Sequence, residues 1–473
     1  MLLDDVLLEI FDFCRKIYYD QPGRLHCKSF LVWDWCLLAH VCRRWRQVIF
    51  QSPQRLNLQI FCKDRTPVRT NLGIWPALPM VLSLSATSDD DDNAIAALEH
   101  RNRVHSVQLY GTGSELGKMT AMMQEPFPVL THLDIHSAGE PTLVLINEFL
   151  GGSTPHLQEI SLWRVAFPAL PTLLLSTNDL VTLDLLELPT SGYISPERMV
   201  SCLATLSKLE MFALTYYHLS CCPDRIRPPP VTRPVLPALT KFKFQGEFEY
   251  LEDLVAQINS PRLEKIYIEY MAQPDDFQGT QLSEFIDRSV GPKLTPSKRA
   301  HVRFHFNRVE FALNCEYPQA TYPAYPGNQR FAAISISPEA FDFQAPDVTF
   351  VLTQFSAALC TVVHLELEAW LVRLLTKYDY SDNPYDIEWL HLLRQFPSMQ
   401  TLYVSLYLAG SVFLALENIP AELLANVLPS LRLICLERDP GQIASIRRFS
   451  DHPITVVETR KEFDERLKSY VSI

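Results

Sequence analysis

The sequence predicts an α/β chain in two parts: a small all-α module at the N-terminus, then a curved solenoid built on one parallel sheet. Three observations predict it. An apolar pattern returns along most of the chain, short helical stretches separate its occurrences, and two amphipathic helical runs precede residue 53.

The returning pattern is apolar-x-x-apolar-x-apolar. It reads Val104/Val107/Leu109, Leu130/Leu133/Ile135, Leu157/Ile160/Leu162, Leu180/Leu183/Leu185, Leu209/Phe212/Leu214, Leu239/Phe242/Phe244 and Leu263/Ile266/Ile268. After a less regular stretch it resumes as Phe331/Ile334/Ile336, Val362/Leu365/Leu367, Met399/Leu402/Val404 and Leu431/Ile434/Leu436. Starts at 104, 130, 157, 180, 209, 239 and 263 give steps of 23 to 30 residues, close to the roughly 20–29 of leucine-rich repeats. The last two apolar residues are two apart, so in a strand they share a face and point into the solenoid. The first packs the turn that leads into the strand. Leu143–Leu150, Arg198–Leu206 and Leu251–Ile258 read as return segments climbing to the next strand. Prolines at 128, 237, 397 and 429 stop the preceding segment and favour an extended lead-in.

Leu56/Leu58 and Leu82/Leu84 extend the pattern backwards, so the solenoid is expected over 54–450. Asp89–Asp92 reads as the acidic first turn of a helix reaching Glu99. Two stretches, about 218–237 and 270–330, break the rhythm. The first holds Arg-Pro-Pro-Pro; the second holds one helix (Leu282–Arg288) and one alternating strand (Val302/Phe304/Phe306). Residues 451–473 read as a strand–helix cap. A closed βα barrel is the competing architecture, but it would want about eight strands rather than a dozen.

Ahead of the repeats, Val6, Leu7, Ile10, Phe11 and Cys14 form one face of a helix that starts at Asp4 and Asp5. Residues 33–50 carry Leu37, Leu38, Val41, Cys42, Trp45, Val48 and Ile49 at helical spacing, with Pro22-Gly23 between the two runs. The wording is more specific than the periodicity. Leu-Leu-Asp-Asp-Val-Leu-Leu-Glu-Ile-Phe (2–11), Val-Cys-Arg-Arg-Trp-Arg (41–46), Ser-Pro (52–53) and Leu-Asn-Leu (56–58) resemble the F-box of fungal F-box proteins. Leu3 stands where that family has proline. Phe244–Tyr270 also resembles the irregular leucine-rich repeats of the family. The resemblance makes residues 1–53 an F-box-like helical module. It implies docking to the Skp-type adaptor of an SCF-type cullin-RING ubiquitin ligase, with Leu2, Leu3, Asp4, Val6, Leu7 and Ile10 at the contact. It implies a substrate-recognition role in which the solenoid holds a protein target. The alternative is a repeat scaffold with a degenerate F-box that joins no ligase. Trp45 reads as part of the module's own core.

Composition excludes other classes. Apolar residues are 47% and charged residues 20%, with 15 glycines against 34 prolines, an economy of glycine unlike a nucleotide-binding fold. A net charge of −12 argues against general binding of nucleic acid or anionic membrane. The 11 cysteines are scattered, without C-x-x-C, as expected of buried thiols in a reducing compartment. His26, Cys27, Cys36 and Cys42 match no standard zinc spacing. The acidic start and the lack of a long apolar run place the chain inside the cell, in cytoplasm, nucleus or both. Gly111-Thr112-Gly113 lacks the lysine of a phosphate loop and reads as a turn, and His301/His305 share a strand face and read as surface residues. No catalytic motif emerges, so a binding protein without cofactor or metal is expected rather than an enzyme.

Parity then assigns the outward face of the sheet. It carries His132, Asp134 and His136, then Glu159, Ser161 and Trp163, then Lys241, Lys243 and Gln245, then Lys265, Tyr267 and Glu269. Further on come His364, Glu366 and Glu368, then Thr401, Tyr403 and Ser405. Of these, His132, Asp134, Trp163, Lys243, Tyr267, Glu366 and Tyr403 are the expected target contacts, with Trp163, Tyr267 and Tyr403 as amphipathic anchors.

Overall fold

The computed structural model describes residues 3–19, 34–52, 59–63, 68–74, 78–85, 91–216, 233–271, 280–289, 299–304, 309–313, 331–337, 349, 352–353, 359–369, 385–417, 424, 426–437 and 454–459. Two units divide the chain: Met1–Leu209 with Tyr216–His218, and Glu210–Thr215 with Leu219–Ile473.

The first unit opens on three helices, α1 (Asp4–Tyr19), α2 (Asp34–Val41) and α3 (Arg43–Gln51). Leu7, Leu8 and Phe11 bury one side of α1, and Val48 and Ile49 bury one side of α3. Phe11 meets Trp45 edge to face with ring centroids 4.9 Å apart, so Trp45 belongs to the module's core. Across the same helix pair Arg44 reaches Asp4 at 2.7 Å. The single run expected over 33–50 is broken at Cys42, whose backbone is extended and whose Sγ accepts the Trp45 N–H at 3.4 Å. Arg46 ties the two pieces by donating to the Ala39 carbonyl at 2.9 Å.

Six parallel strands follow: β1 (Ile60–Lys63), β2 (Met80–Ser85), β3 (Val104–Thr112), β4 (His132–Ala138), β6 (Glu159–Trp163) and β8 (Thr182–Leu188), adjacent in that order. A separate ribbon pairs β5 (Leu143–Val144) with β7 (Val165–Ala166). The predicted inward residues fall into register from strand to strand. Leu82, Val107, Leu133, Ile160 and Leu183 make one buried row; Leu84, Leu109, Ile135, Leu162 and Leu185 make the next. The first strand differs from expectation: Leu56 and Leu58 lie outside the described residues, and Ile60 and Cys62 hold the inward positions beside Met80 and Leu82. The Asp89–Asp92 expectation resolves into helix α5 (Asp91–Leu98), with α4 (Val68–Ile74) before it.

One hydrogen-bonding device repeats at the strand entrances. The N–H of the first apolar residue donates to the carbonyl three residues back, as Leu130 to Phe127, Leu157 to Thr154 and Leu263 to Ser260, each within 3.1–3.2 Å. Two successive N–H groups then share one carbonyl of the previous repeat: Gln158 and Glu159 on Thr131, Val181 and Thr182 on Gln158, Glu264 and Lys265 on Thr240. The turn is thereby satisfied without side chains, which is why its sequence varies.

Helices close the inward side, among them α6 (Gly113–Ala121), α7 (Leu170–Leu175) and α8 (Pro196–Leu203). Gly111-Thr112-Gly113 is the junction of β3 and α6 rather than a free turn. Thr112 starts α6, its N–H and hydroxyl donating to Glu115 at 2.9 and 2.6 Å. A Cβ on Gly113 would stand 1.9 Å from the Pro141 carbonyl oxygen. Gly113→Ala is expected to cost about 2–3 kcal/mol, an overpacking penalty against backbone. Chemical denaturation checks it; a change within about 0.5 kcal/mol would contradict the packing described.

In the second unit the strand order is β9 (Met211–Tyr216), β10 (Lys241–Glu247), β11 (Lys265–Met271), β14 (Phe331–Ser337), β13 (Val309–Leu313), β12 (Arg299–Phe304), β15 (His364–Ala369), β16 (Thr401–Val404), β17 (Leu433–Glu437) and β18 (Thr455–Thr459). Phe212, Phe242 and Ile266 share a register, as do Leu214, Phe244 and Ile268, and Leu365, Leu402 and Ile434. The expectation of one purely parallel sheet is corrected here. β13 runs antiparallel to both β12 and β14, so the irregular stretch 270–330 contributes a hairpin and chain order departs from spatial order. Helices α9 (Phe248–Ala256), α10 (Thr280–Ser289), α11 (Tyr385–Arg394) and α12 (Leu406–Glu417) belong to this unit. Phe244 stacks on Tyr250 of α9 at 5.8 Å, and Phe242 meets Phe285 of α10 at 5.9 Å. Both Glu252 oxygens accept N–H groups at the start of α10, from Gln281 at 3.0 Å and Leu282 at 2.8 Å. The helix expected after β18 lies outside the described residues.

Candidate binding face

Alternation along each strand puts one polar row outside for every buried row, and on the first unit these rows stack into a ladder. Tyr110, His136 and Trp163 occupy one register of β3, β4 and β6. Tyr110 and His136 rings lie 5.0 Å apart, His136 and Trp163 5.7 Å. Asp134 sits beneath them, accepting the Tyr110 hydroxyl at 3.0 Å, with His136 Nε2 3.0 Å from its other oxygen. Burial pushes the Asp134 carboxyl up, but His136, Tyr110 and Ser161 more than reverse this and hold it below the usual carboxylate range. The Tyr110 hydroxyl is pushed up, first by its burial and then by Asp134. Beyond Trp163, Arg164 lies over the indole at 5.8 Å and reaches Glu140 and Glu187 at 3.8 and 4.0 Å. At the other end of the strands His105 and His132 rings approach to 5.7 Å, with the Thr131 hydroxyl 3.0 Å from His105 Nδ1 and 2.6 Å from His132 Nδ1. Burial, then His132, lowers the His105 pKa, and His132 faces Glu159 at 3.7 Å. His132, Asp134 and Trp163 are therefore outward and adjacent, as parity predicts. Tyr110, Arg164 and His105 complete the cluster and were not anticipated. The outward parity of β3 would have found Tyr110; nothing in the sequence signals Arg164, which follows the strand at φ 53°.

On the second unit Lys241, Lys243, Lys265 and Tyr267 stand side by side on β10 and β11. Lys243 Nζ lies 5.7 Å from the Tyr267 ring centroid, and the Tyr267 hydroxyl reaches Glu269 at 3.4 Å. Farther along, the outward acids are already engaged. Glu368 accepts from Arg303 Nε at 2.9 Å and faces His301 Nε2 at 3.1 Å, while Arg303 also reaches Glu310 at 3.3 Å. His301 and Arg303 are only 11% exposed, which corrects the expectation of a surface histidine; His305 lies outside the described residues. Glu366 and Tyr403 are half-buried and outward in register with each other. Ser405 is buried instead. The strand ends at Val404, alternation stops, and the Ser405 hydroxyl accepts the Ala369 N–H at 3.0 Å.

Glu252 is the one described carboxyl pushed up to about 7, by its burial, a shift that elsewhere marks functional acids. Here both oxygens are spent on the start of α10. Among the described residues no group of three or more His, Cys, Asp or Glu side chains is placed to hold a metal ion, and no helix is long and apolar enough to cross a membrane. Cys42 is exposed, and of the three residues weighed with it against zinc spacings two, His26 and Cys27, lie outside the described residues.

On the helical module Leu3 is 73% exposed, Val6 and Ile10 40% each, and Val41 60%. Asp4 is exposed and paired with Arg44, and Leu2 lies outside the described residues. Leu7 is a correction: it is 3% exposed and belongs to the module's core with Leu8 and Phe11, at the border of the exposed side that carries Val6 and Ile10.

No family model matches the sequence, and no curated protein matches it. Solved structures similar to this chain include that of the yeast Rad7 and Elc1 complex, at 11% identity and a TM-score of 0.30, covering 96% of this chain and 92% of that one. Another is the leucine-rich repeat-containing protein LegL7 from Legionella pneumophila, at 12% identity and a TM-score of 0.24, covering 81% and 92%.

Proposed function

We propose that this chain is a non-catalytic adaptor: an F-box-type module that docks the Skp-type adaptor of an SCF-type cullin-RING ligase, joined to a repeat sheet whose outward face holds a protein target. The observation that carries the first half is the free apolar side of α1. Leu3, Val6 and Ile10 stay exposed while Leu7, Leu8 and Phe11 satisfy the module's own core. Apolar side chains grouped on one exposed helix side fit a protein contact rather than a solvated surface. The second half rests on the outward ladder of Tyr110, His136 and Trp163, aromatic and polar in the mixture that protein interfaces favour. Such a protein brings two surfaces together in cytoplasm or nucleus and does no chemistry itself.

Val6→Asp/Ile10→Asp is expected to remove co-purification with a Skp-type adaptor while leaving the thermal unfolding midpoint near that of the parent chain. Losing two apolar contacts of about 1.5 kcal/mol each corresponds to roughly a hundredfold in affinity. Undiminished co-purification would sink the assignment. A repeat scaffold that joins no ligase is the second reading, favoured by Leu3 at the family's proline position; it predicts that even the parent chain fails to retain the adaptor.

A further inference from the structure

Thr131, at the entrance of β4, ties three successive repeats together. Its N–H donates to the His105 carbonyl at 2.9 Å, and its own carbonyl accepts the Gln158 and Glu159 N–H groups at 2.8 and 3.0 Å. Its hydroxyl is also the meeting point of two imidazoles, with His105 Nδ1 at 3.0 Å and His132 Nδ1 at 2.6 Å. The two rings lie 5.7 Å apart, both half-buried on the outward side of the sheet. Charged and titratable groups on the elements beside the pair are Glu159 of β6, Asp134 and His136 of β4, Tyr110 of β3, and Arg101 and Arg103 before β3. Glu159 stands 3.7 Å from His132 Nε2, and Asp134 faces His136 at 3.0 Å and accepts the Tyr110 hydroxyl. Arg103 donates to the Leu78 carbonyl at 2.9 Å, and Arg101 reaches Glu125 at 3.1 Å. Toward β2 the outward positions are Ser83 and Ser85, which carry no charge.

We propose that the His105–Thr131–His132 joint is a proton-sensitive switch, holding β3, β4 and β6 together at neutral pH and loosening their entrances in mild acid. It is built into the fold and does not depend on which partner the outward face holds. A first proton fits on His132, whose Nε2 looks onto the Glu159 carboxylate. A second, on His105, then stands 5.7 Å from a like charge, in a half-buried place that solvates it poorly. Burial, and next His132, accordingly lower the His105 pKa from its usual 6.5. The unfolded chain takes up this proton more readily than the folded one does. The stability of the joint is therefore fully present above pH 6.5 and is lost as pH falls from 6.5 through the lowered folded value. Swinging either ring out to relieve the repulsion breaks its contact with the Thr131 hydroxyl. His136 acts in the opposite sense, because a proton there is drawn to the Asp134 carboxylate 3.0 Å away. The next entrance supplies the contrast. There Gln158 takes the place of Thr131, its carbonyl accepting the Val181 and Thr182 N–H groups, and none of these three side chains titrates.

The test is hydrogen–deuterium exchange of the full-length chain at about pH 7.5 and about pH 5.5, either side of the ordinary histidine value, with rates corrected for the intrinsic pH dependence of amide exchange. Between the two, protection of β4 and of the entrance to β6 is expected to fall severalfold more than that of β8. His105→Gln should abolish this acid-dependent excess. His132→Gln should reduce it, since the burial of His105 remains. Each variant is compared with itself at the two pH values, so a general loss of stability does not mimic the result. His156→Gln, which removes an exposed histidine of the same unit, should leave the excess as it is. Equal loss in β4 and β8, an excess that survives His105→Gln, or one abolished by His136→Gln or His156→Gln would each overturn the proposal.

Discussion

Phe242→Ala is expected to destabilise the second unit by about 3–5 kcal/mol, the cost of emptying a large aromatic site that cannot collapse. The Phe242 ring is 1% exposed and touches two neighbours from different repeats, Phe212 at 5.8 Å and Phe285 at 5.9 Å. Its removal therefore unpacks the joint between β9, β10 and α10 at once. The next residue supplies the internal control. Lys243 points to the opposite side of the sheet, and Lys243→Ala should change stability by less than about 0.5 kcal/mol. Urea unfolding followed by circular dichroism separates the two. Similar costs for both would mean that the alternation of buried and outward residues on β10 is wrong.

Acid sensitivity should come next in size and centres on Glu368. Burial raises this carboxyl, but hydrogen bonds from His301 and Arg303 and their charges outweigh it and bring it down to about 2. The unfolded value is 4.5, so the folded state holds its proton less tightly than the unfolded chain does. The stabilisation is fully present above pH 4.5 and is lost as pH falls from 4.5 through about 2. Its size is on the order of 3 kcal/mol. Arg303→Ala should be costlier than Glu368→Gln, because it leaves Glu368 and Glu310 in a poorly solvated place without their shared cation. Glu368→Gln should flatten the acid limb of the stability profile between pH 4.5 and 2. An unchanged limb in that variant would assign the acid lability to other carboxylates.

The repeat was legible in the sequence because its signal is redundant. Each strand needs two apolar residues at a spacing of two plus a third to plug the turn, and the register of Leu133, Ile160 and Leu183 follows from that alone. What escaped was whatever a single short segment decides. Leu56 and Leu58 match the spacing, yet the pairing partner of β2 is fixed by Ile60 and Cys62. β13 is five residues long, and a strand's alternation is the same whether its neighbours run parallel or antiparallel, so its direction left no trace. Ser405 was assigned outward by counting on past the end of β16, where the two-residue rule ceases to apply. The break at Cys42 was hidden because cysteine is not among the usual helix-capping residues, and apolar residues continue across it at helical spacing. On the candidate face, parity found His132, Asp134, Trp163, Lys243 and Tyr267. It could not show that Asp134 is held between Tyr110 and His136, because those partners sit 24 residues before it on one strand and two after it on its own.

The same distinction governs α1. Helical periodicity grouped Val6, Leu7 and Ile10 as one apolar face, whereas the packed module divides them: Leu7 faces the core with Leu8 and Phe11, and Val6 and Ile10 face out with Leu3. A helix with an apolar residue on each side of its module is what gives the adaptor reading its content. Calorimetric titration of a purified Skp-type adaptor into the full-length chain, with and without Val6→Asp/Ile10→Asp, tests that reading most directly. The account predicts one-to-one binding by the parent chain and roughly a hundredfold loss in the variant at unchanged fold. No heat of binding with the parent chain, or equal affinity in both, would contradict it.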